Sequence, residues 1–333
     1  MKFPKIDLHL HLDGSIRPET AWELAVEAGC ELPAATLEDY RAWIRAAANT
    51  PNVNEYLKLF ELPIQITQTE AALTRVTREL IEQLHEQGLA YAEIRFAPQL
   101  HTRTGMTQRQ AIEAVLEGRR QGLTACPGIK IGILLCMMSV GPETVNWDAN
   151  METAELAPEY LGRGVVGADL AGAEGIVPLK TFAPLFRRLQ EGKVPYTCHA
   201  GDSQGPETVR DAMSFGAKRI GHGHHIFDDP ALSRRAAEEG VVLEICPTSN
   251  IQCHTQPSYA EHPAKQLLDM GVGVTINTDN MALAGVNLDI EYRHCVEEMG
   301  FTEADLVKMS RHSIRACFLP EEEKAELLAL IEE

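Results

Sequence analysis

Residues 6–13 alternate strictly: Ile6, Leu8, Leu10 and Leu12 hold one parity, and Asp7, His9, His11 and Asp13 hold the other. Side chains of a strand point to opposite faces with period two, so this stretch predicts a strand with one apolar face. Its other face carries two imidazoles between two carboxylates. After Gly14 the period lengthens. Pro18 and Gly29 bracket a helix through Trp22, Leu24 and Val26. Thr36 and Asp39 form a capping-box-like start for a second helix through Tyr40, Trp43 and Ile44. A third is expected over 53–62, and a fourth over 69–88, where Leu73, Val76, Leu80, Ile81 and Leu84 make a helical stripe that ends at Gly88. These stripes predict helix packing, in an elaborated loop over one end of a sheet.

The chain then settles into a different rhythm. Short apolar runs at 90–97, 130–138, 165–171, 194–200, 219–221, 241–246 and 272–278 are separated by helix-length segments at 107–122, 179–192, 206–215, 231–239 and 264–271. With the opening strand this makes eight strands, mostly followed by helices, which predicts a parallel sheet. The expected fold is α/β: a (β/α)8 TIM barrel with a helical insertion after the first strand and terminal helices over 302–333. A doubly wound open sheet is the alternative. No linker, repeat or low-complexity segment divides the chain, so residues 1–333 are expected to form one domain.

Composition narrows the function classes. The 333 residues carry 30 basic and 48 acidic side chains, a net charge of −18 that repels phosphate backbones and acidic membrane surfaces. Nucleic acid and membrane are therefore not expected partners. The N-terminus lacks the continuous apolar core of an export signal, and the longest apolar run, 129–140, is too short to span a bilayer. The eight cysteines show no C-x-x-C spacing and read as reduced thiols of a cytoplasmic protein. Oligomeric state is not legible.

The chemistry collects at strand ends. Twelve histidines in 333 residues give roughly 0.4 His-x-His pairs by chance, so His9 and His11 alone say little. In a barrel, however, the C-terminal ends of all strands meet at one rim. There the first strand offers His9, His11 and Asp13, the fifth His199 and Asp202, the sixth His222 and His224, and the eighth Asp279 and Asn280. His9, His11, His199 and Asp279 make a nitrogen-rich set suited to Zn2+ and too rich in imidazole for Mg2+ or Ca2+. His222 and Asp202 are the neighbouring acid–base candidates, so the site reads as hydrolytic. The fourth strand carries no lysine, which favours a single metal over a pair bridged by a modified lysine.

HLHLDGS (9–15), DLAG (169–172), HAGD (199–202), GPETV (205–209), RIGHG (219–223), CPTSN (246–250) and NTDN (277–280) together resemble the adenosine deaminase family, in order and spacing, over essentially the whole chain. The resemblance implies a zinc-dependent (β/α)8 barrel that hydrolyses the 6-amino group of a purine nucleoside to the 6-oxo product and ammonia. It implies one zinc per chain on His9, His11, His199 and Asp279. His222 would orient or deprotonate the attacking water, with Asp279 hydrogen-bonding it, and Asp202 would protonate purine N1. Among the implied substrate contacts are His11, Gly172 through its N–H to ring N3, and Asp13 to the ribose 5′-hydroxyl. Asp13 also favours a nucleoside over free adenine, since adenine-type relatives generally carry Glu there.

Two departures from the family pattern stand out. Asp202 replaces the usual Glu of HAGE, one methylene shorter, and a lost ångström of reach at a proton donor can cost on the order of 100-fold in rate. Asn280 stands where many members carry a second Asp; its amide can donate to purine N7. Adenosine and 2′-deoxyadenosine are the expected substrates. The alternatives are adenine, an N6-substituted purine or aminodeoxyfutalosine, or a metal-binding homologue with little turnover. Gly162, Gly164 and Gly167 match a dinucleotide fingerprint in letters but precede a strand instead of following one, and are set aside. His224 and His225 read as rim residues, and His85, His101, His254, His262, His294 and His312 as structural. Asp169 is left equally between backing a ligand and merely ending its strand.

Overall fold

In the computed structural model, which describes residues 3–141 and 145–332, all eight expected strands form. They are β1 (Lys5–His11), β2 (Leu89–Phe96), β3 (Lys130–Ser139), β4 (Val165–Gly172), β5 (Thr197–Ala200), β6 (Arg219–His222), β7 (Val242–Ile245) and β8 (Gly273–Ile276). Residues 1, 2 and 333, where the leader and tail expectations begin and end, lie outside the described part. Every pairing is parallel, in the sequential orders β1-β2-β3-β4 and β5-β6-β7-β8. Two seams join these halves. Ala168 N–H donates to Pro195 O at 2.9 Å, while Asp279 N–H donates to His9 O at 2.8 Å and His11 N–H to Asp279 O at 2.7 Å. The eight parallel strands thus close into the barrel expected from the sequence.

The alternation in β1 has an inverted meaning here. Leu8 and Leu10, fully buried, point outward into the helical layer and the C-terminal segment. The polar parity points inward. Asp7 and His9 are also fully buried, and the barrel interior holds Glu93, Arg95, Asp169, Arg219 and Glu244. Such charges survive inside only when paired. Arg95 Nη1 lies 2.7 Å from Asp169 Oδ2 and its Nη2 2.8 Å from Glu244 Oε2. Arg219 reaches Glu244 at 2.7 Å and Glu93 at 2.6 Å.

The insertion after β1 folds as expected into helices Pro18–Ala28, Leu37–Ala47 and Glu70–Glu86, but the single helix expected over 53–62 is instead Val53–Leu57, a 3-10 turn Lys58–Phe60 and Glu61–Ile66. Thr36 caps the second by accepting from Asp39 N–H, and Gly29 ends the first with φ of 66°. The 179–192 segment is a 3-10 turn, Leu179–Phe182, leading into Ala183–Glu191. Sequence reading passes over helix Trp147–Tyr160. Its alanine-rich pattern includes an internal Pro158, and Asn146 makes no side-chain cap to mark the start. Sequence reading also passes over helix Leu288–Glu297, although Asn287 accepts from Ile290 N–H as a cap.

Candidate active site

The strand ends converge as their order requires. Ligand-capable atoms of His9, His11 and His199 all lie within 4.8 Å of one another. His9 Nε2 and His11 Nε2 stand 3.5 and 3.4 Å from the same atom, Asp279 Oδ1. Asp279 is held there from two sides. Its main chain bonds β1 through both N–H and C=O, and Ser249 Oγ donates to its Oδ2 at 2.6 Å, leaving Oδ1 to face the imidazoles. Asp279 and His222 both adopt left-handed backbone, with φ of 56° and 60°, a strain of about 1–3 kcal/mol each that surrounding structure must over-determine. At Gly221 the imidazoles themselves crowd any side chain: a Cβ would sit 3.0 Å from His9 Cε1 and 3.1 Å from His199 Nδ1.

Carboxylates stand behind two of the histidines. His9 Nδ1 lies 2.8 Å from Glu244 Oε2, and His199 Nδ1 lies 3.0 Å from Asp169 Oδ2. Each sets a carboxylate beside one ring nitrogen, the placement that orients metal-bound histidines elsewhere. Asp169 is therefore a backing group rather than a mere strand terminus. Its partner Arg95 joins the two carboxylates into one network.

A metal fits these residues. His9 Nε2 is buried without a hydrogen-bond partner among the described residues, although it faces a carboxylate and two imidazoles. Burial drives the His9 pKa down to about 4, with the Arg95 charge adding, and burial pushes His11 well below its ordinary value. Burial works to raise Asp279, but the facing His9 ring and the neighbouring imidazoles hold it well below the usual carboxylate range. His9 and His11 are thus held neutral and Asp279 ionised, the forms that ligate, whereas at His199 burial is outweighed by the Asp169 carboxylate, which raises it.

Beside this cluster opens a cavity of about 600 Å3, in the range of small-molecule sites. Its walls include His11, Asp13, Gly172, His199, Asp202, His222, Asp279 and Asn280; of the sequence-predicted site residues only His9 lies behind the wall. The helical insertion closes the outer side with Tyr56, Leu57 and Phe60. Leu59 and Leu62, from the same insertion, pack against the core. Gly172, with φ of 103°, admits no side chain, since a Cβ would lie 2.4 Å from Ser139 O. Asp13 is buried, and burial pushes its carboxyl up to about 6.

Asp202 lies in this wall with one carboxyl oxygen committed. Oδ1 accepts from Asn250 Nδ2 at 2.9 Å and from Thr255 Oγ1 at 3.1 Å, whereas Oδ2 bonds no described residue. Burial raises its pKa, opposed by His222 and reinforced by Glu174 and Asp279, which favours the protonated carboxyl. The Asn250 amide also lies 3.1 Å from His222 Nδ1, so one side chain spaces Asp202 and His222, and His262 Nε2 supports it at 3.2 Å. His224 is fully buried 4.0 Å from Asp202, inside the wall and not on the rim as expected, while His225 is partly exposed. Asn250, Ser249, Glu244, Arg95 and Glu174 escape sequence reading. Asn250 and Ser249 fall inside the CPTSN motif, which offered the only signal.

A family model for adenosine deaminase matches residues 4–333. The chain is 40% identical over 331 residues to an adenosine deaminase of Haemophilus ducreyi, covering 98% of this chain and 95% of that one. It belongs to the adenosine deaminase family. Membership makes the chain a hydrolase of C–N bonds, in keeping with a site built of histidines and carboxylates at strand ends. Two solved structures share the barrel of this deaminase-family chain. An adenine deaminase from Arthrobacter aurescens matches with a TM-score of 0.88 at 26% identity, covering 99% of this chain and 98% of that one. An Arabidopsis N6-mAMP deaminase matches with a TM-score of 0.85 at 28% identity, with the same coverage. Among the described residues no helix is long and apolar enough to cross a membrane.

Proposed function

We propose that this protein hydrolyses adenosine, and 2′-deoxyadenosine, to the 6-oxo nucleoside and ammonia, with one zinc ion held by His9, His11, His199 and Asp279. The observation that carries this reading is the juxtaposition, in one cavity, of the imidazole–carboxylate set and of Asp202 with a single uncommitted oxygen. Zinc, when bound, supplies Lewis acidity that makes water nucleophilic near neutral pH. The remaining steps belong to the chain. Water adds at purine C6, and electron density moves onto N1, which takes the proton of Asp202 Oδ2. His222 orients the attacking water or takes its proton, and Asp279 hydrogen-bonds it. The amine leaves as ammonia once protonated, so one water is consumed for each ammonia released.

Gly172 would offer its N–H to ring N3, Asn280 its amide to N7, and His11 an edge to the reacting centre. Asp13 would accept from the ribose 5′-hydroxyl. A carboxylate at that end of the cavity supports a nucleoside over a 5′-phosphate, since like charges repel. The helical insertion, with Tyr56, Leu57 and Phe60, would cover the bound purine and exclude water. Eight unpaired thiols, seven of them buried, support a cytoplasmic setting.

Ammonia release from the zinc-loaded protein tests the reading, with adenosine, 2′-deoxyadenosine, adenine, N6-methyl-AMP and aminodeoxyfutalosine compared at equal concentration. Turnover of the two nucleosides is expected to exceed the others by at least about 100-fold in kcat/KM. Silence with adenosine alongside turnover of another amine would transfer the activity to that substrate.

A further inference from the structure

Glu174 lies two residues beyond Gly172, in the loop after β4, and its carboxylate is enclosed by the loop after β5. Oε1 accepts from Gly201 N–H at 2.6 Å and from Thr208 Oγ1 at 2.7 Å. Oε2 accepts from the N–H groups of Asp202, Ser203 and Gln204 at 3.0, 2.8 and 3.0 Å. Four consecutive main-chain donors thus converge on one side chain, and Thr208 Oγ1 closes the ring by accepting a second bond from Gly201 N–H at 2.8 Å. Successive N–H groups around an anion form a nest, and hydrogen bonds to an ionised acceptor are about twice as strong as neutral ones. This is more anchorage than a surface loop of four residues requires. Its middle carries Asp202, which is one methylene shorter than the family's usual residue.

We infer that Glu174 is a positioning residue for the proton donor: it fixes the main chain of Asp202 so that the short carboxyl meets the purine ring. The side chain of Asp202 is tethered separately, at Oδ1, by Asn250 and Thr255. Main chain and side chain are therefore held from opposite sides, and only Oδ2 is presented to the cavity. With so short a reach, neither tether has slack. A loop that moved by an ångström would separate donor and ring nitrogen, a displacement that can cost on the order of 100-fold in rate. The negative charge of Glu174 also acts in the same sense, since it favours the protonated form of its neighbour. Glu174→Gln keeps size and one acceptor but turns an amide NH2 toward main-chain donors, so the nest opens without a cavity being made.

The inference rests on the assignment of Asp202 as donor, and a double-mutant cycle separates the two. Wild type, Glu174→Gln, Asp202→Asn and the double variant are compared for kcat, KM and zinc content with adenosine. Glu174→Gln is expected to lower kcat about 30- to 100-fold, with KM within about 3-fold and zinc still stoichiometric. In the Asp202→Asn background the same change is expected to cost less than about 3-fold, because the group it positions is already gone. Losses that multiply in the double variant, or a Glu174→Gln enzyme with wild-type kcat, would overturn the role of Glu174. Full activity in Asp202→Asn alone would instead overturn the donor assignment. Should Glu174→Gln fail to fold, Glu174→Asp, which keeps the charge and withdraws it from the nest, supplies the same cycle with the same criteria.

Discussion

Asp202 shows how little of a site is one side chain. Its letter in the sequence suggested a proton donor with reduced reach, while the placement of its carboxyl depends on Asn250, Thr255 and Glu174, which hold it at both ends. Asp279 repeats the point. Ser249 engages Oδ2 and thereby decides which oxygen faces the imidazoles. Removing an outer partner of this kind usually costs 10- to 100-fold in metal affinity. Ser249→Ala is accordingly expected to raise the zinc dissociation constant about 10-fold, measured by competition with a chromogenic chelator, with folding intact. An unchanged constant would show that main-chain bonds to β1 suffice to set Asp279. Motif residues were legible because chemistry restricts their type. Their tethers were not, because Asn, Ser and Glu in loops are ordinary until the fold brings them into contact.

At the scale of elements, helix Leu288–Glu297 carries a group whose protonation is coupled to folding. Glu291 is fully buried beneath Thr248, whose N–H lies 3.3 Å from both carboxyl oxygens. Burial pushes its pKa up to about 8, from 4.5 in the unfolded chain. The native state therefore holds a proton that the unfolded state has released, and the stability it confers is present below about pH 4.5 and lost as pH rises to about 8. Glu291→Gln, which keeps an acceptor for Thr248 N–H, is expected to flatten the decline in melting temperature between pH 5 and 8. Equal slopes in the two proteins would exclude Glu291 as its source. Elements themselves were most readable where a clean apolar stripe and caps coincided, and the buried Glu291 in the stripe of Leu288–Glu297 hid that helix despite its Asn287 cap. The Pro18–Ala28 helix had both Pro and Gly at its ends, and Thr302 forms a full capping box with Asp305. Trp147–Tyr160 had neither a capping side chain nor a clean stripe, and packing alone makes it a helix.

For the whole molecule, the barrel is organised around charge as much as around apolar packing. From His9 a chain of buried contacts runs through Glu244 and Arg219 to Glu93, and Glu93 accepts Phe318 N–H at 2.7 Å in the C-terminal segment. Arg95 ties this chain to Asp169 and hence to His199. Truncating one partner of such a network strands the others, at a cost of about 3–5 kcal/mol. Arg95→Met is expected to lose that much unfolding free energy in urea and to bind zinc more weakly, since Asp169 and Glu244 would no longer be held against the histidines. A variant as stable as wild type would mean that the two carboxylates are satisfied without it. The order of strands made the rim predictable, because eight parallel strands can meet in few ways. Interior pairing was not predictable, since parity places Glu93, Arg95 and Glu244 on the inner face but cannot say which of them touch.

All three scales meet in one measurement on Asp202→Asn, loaded with zinc to one equivalent and assayed for ammonia at saturating adenosine. The amide preserves shape and the bonds of Oδ1 to its neighbours but cannot pass a proton to N1. Turnover is expected to fall by about 100-fold or more while zinc content and melting temperature stay those of wild type. Wild-type turnover in that protein would contradict protonation of the purine ring by Asp202, and with it the chemistry assigned to this cavity.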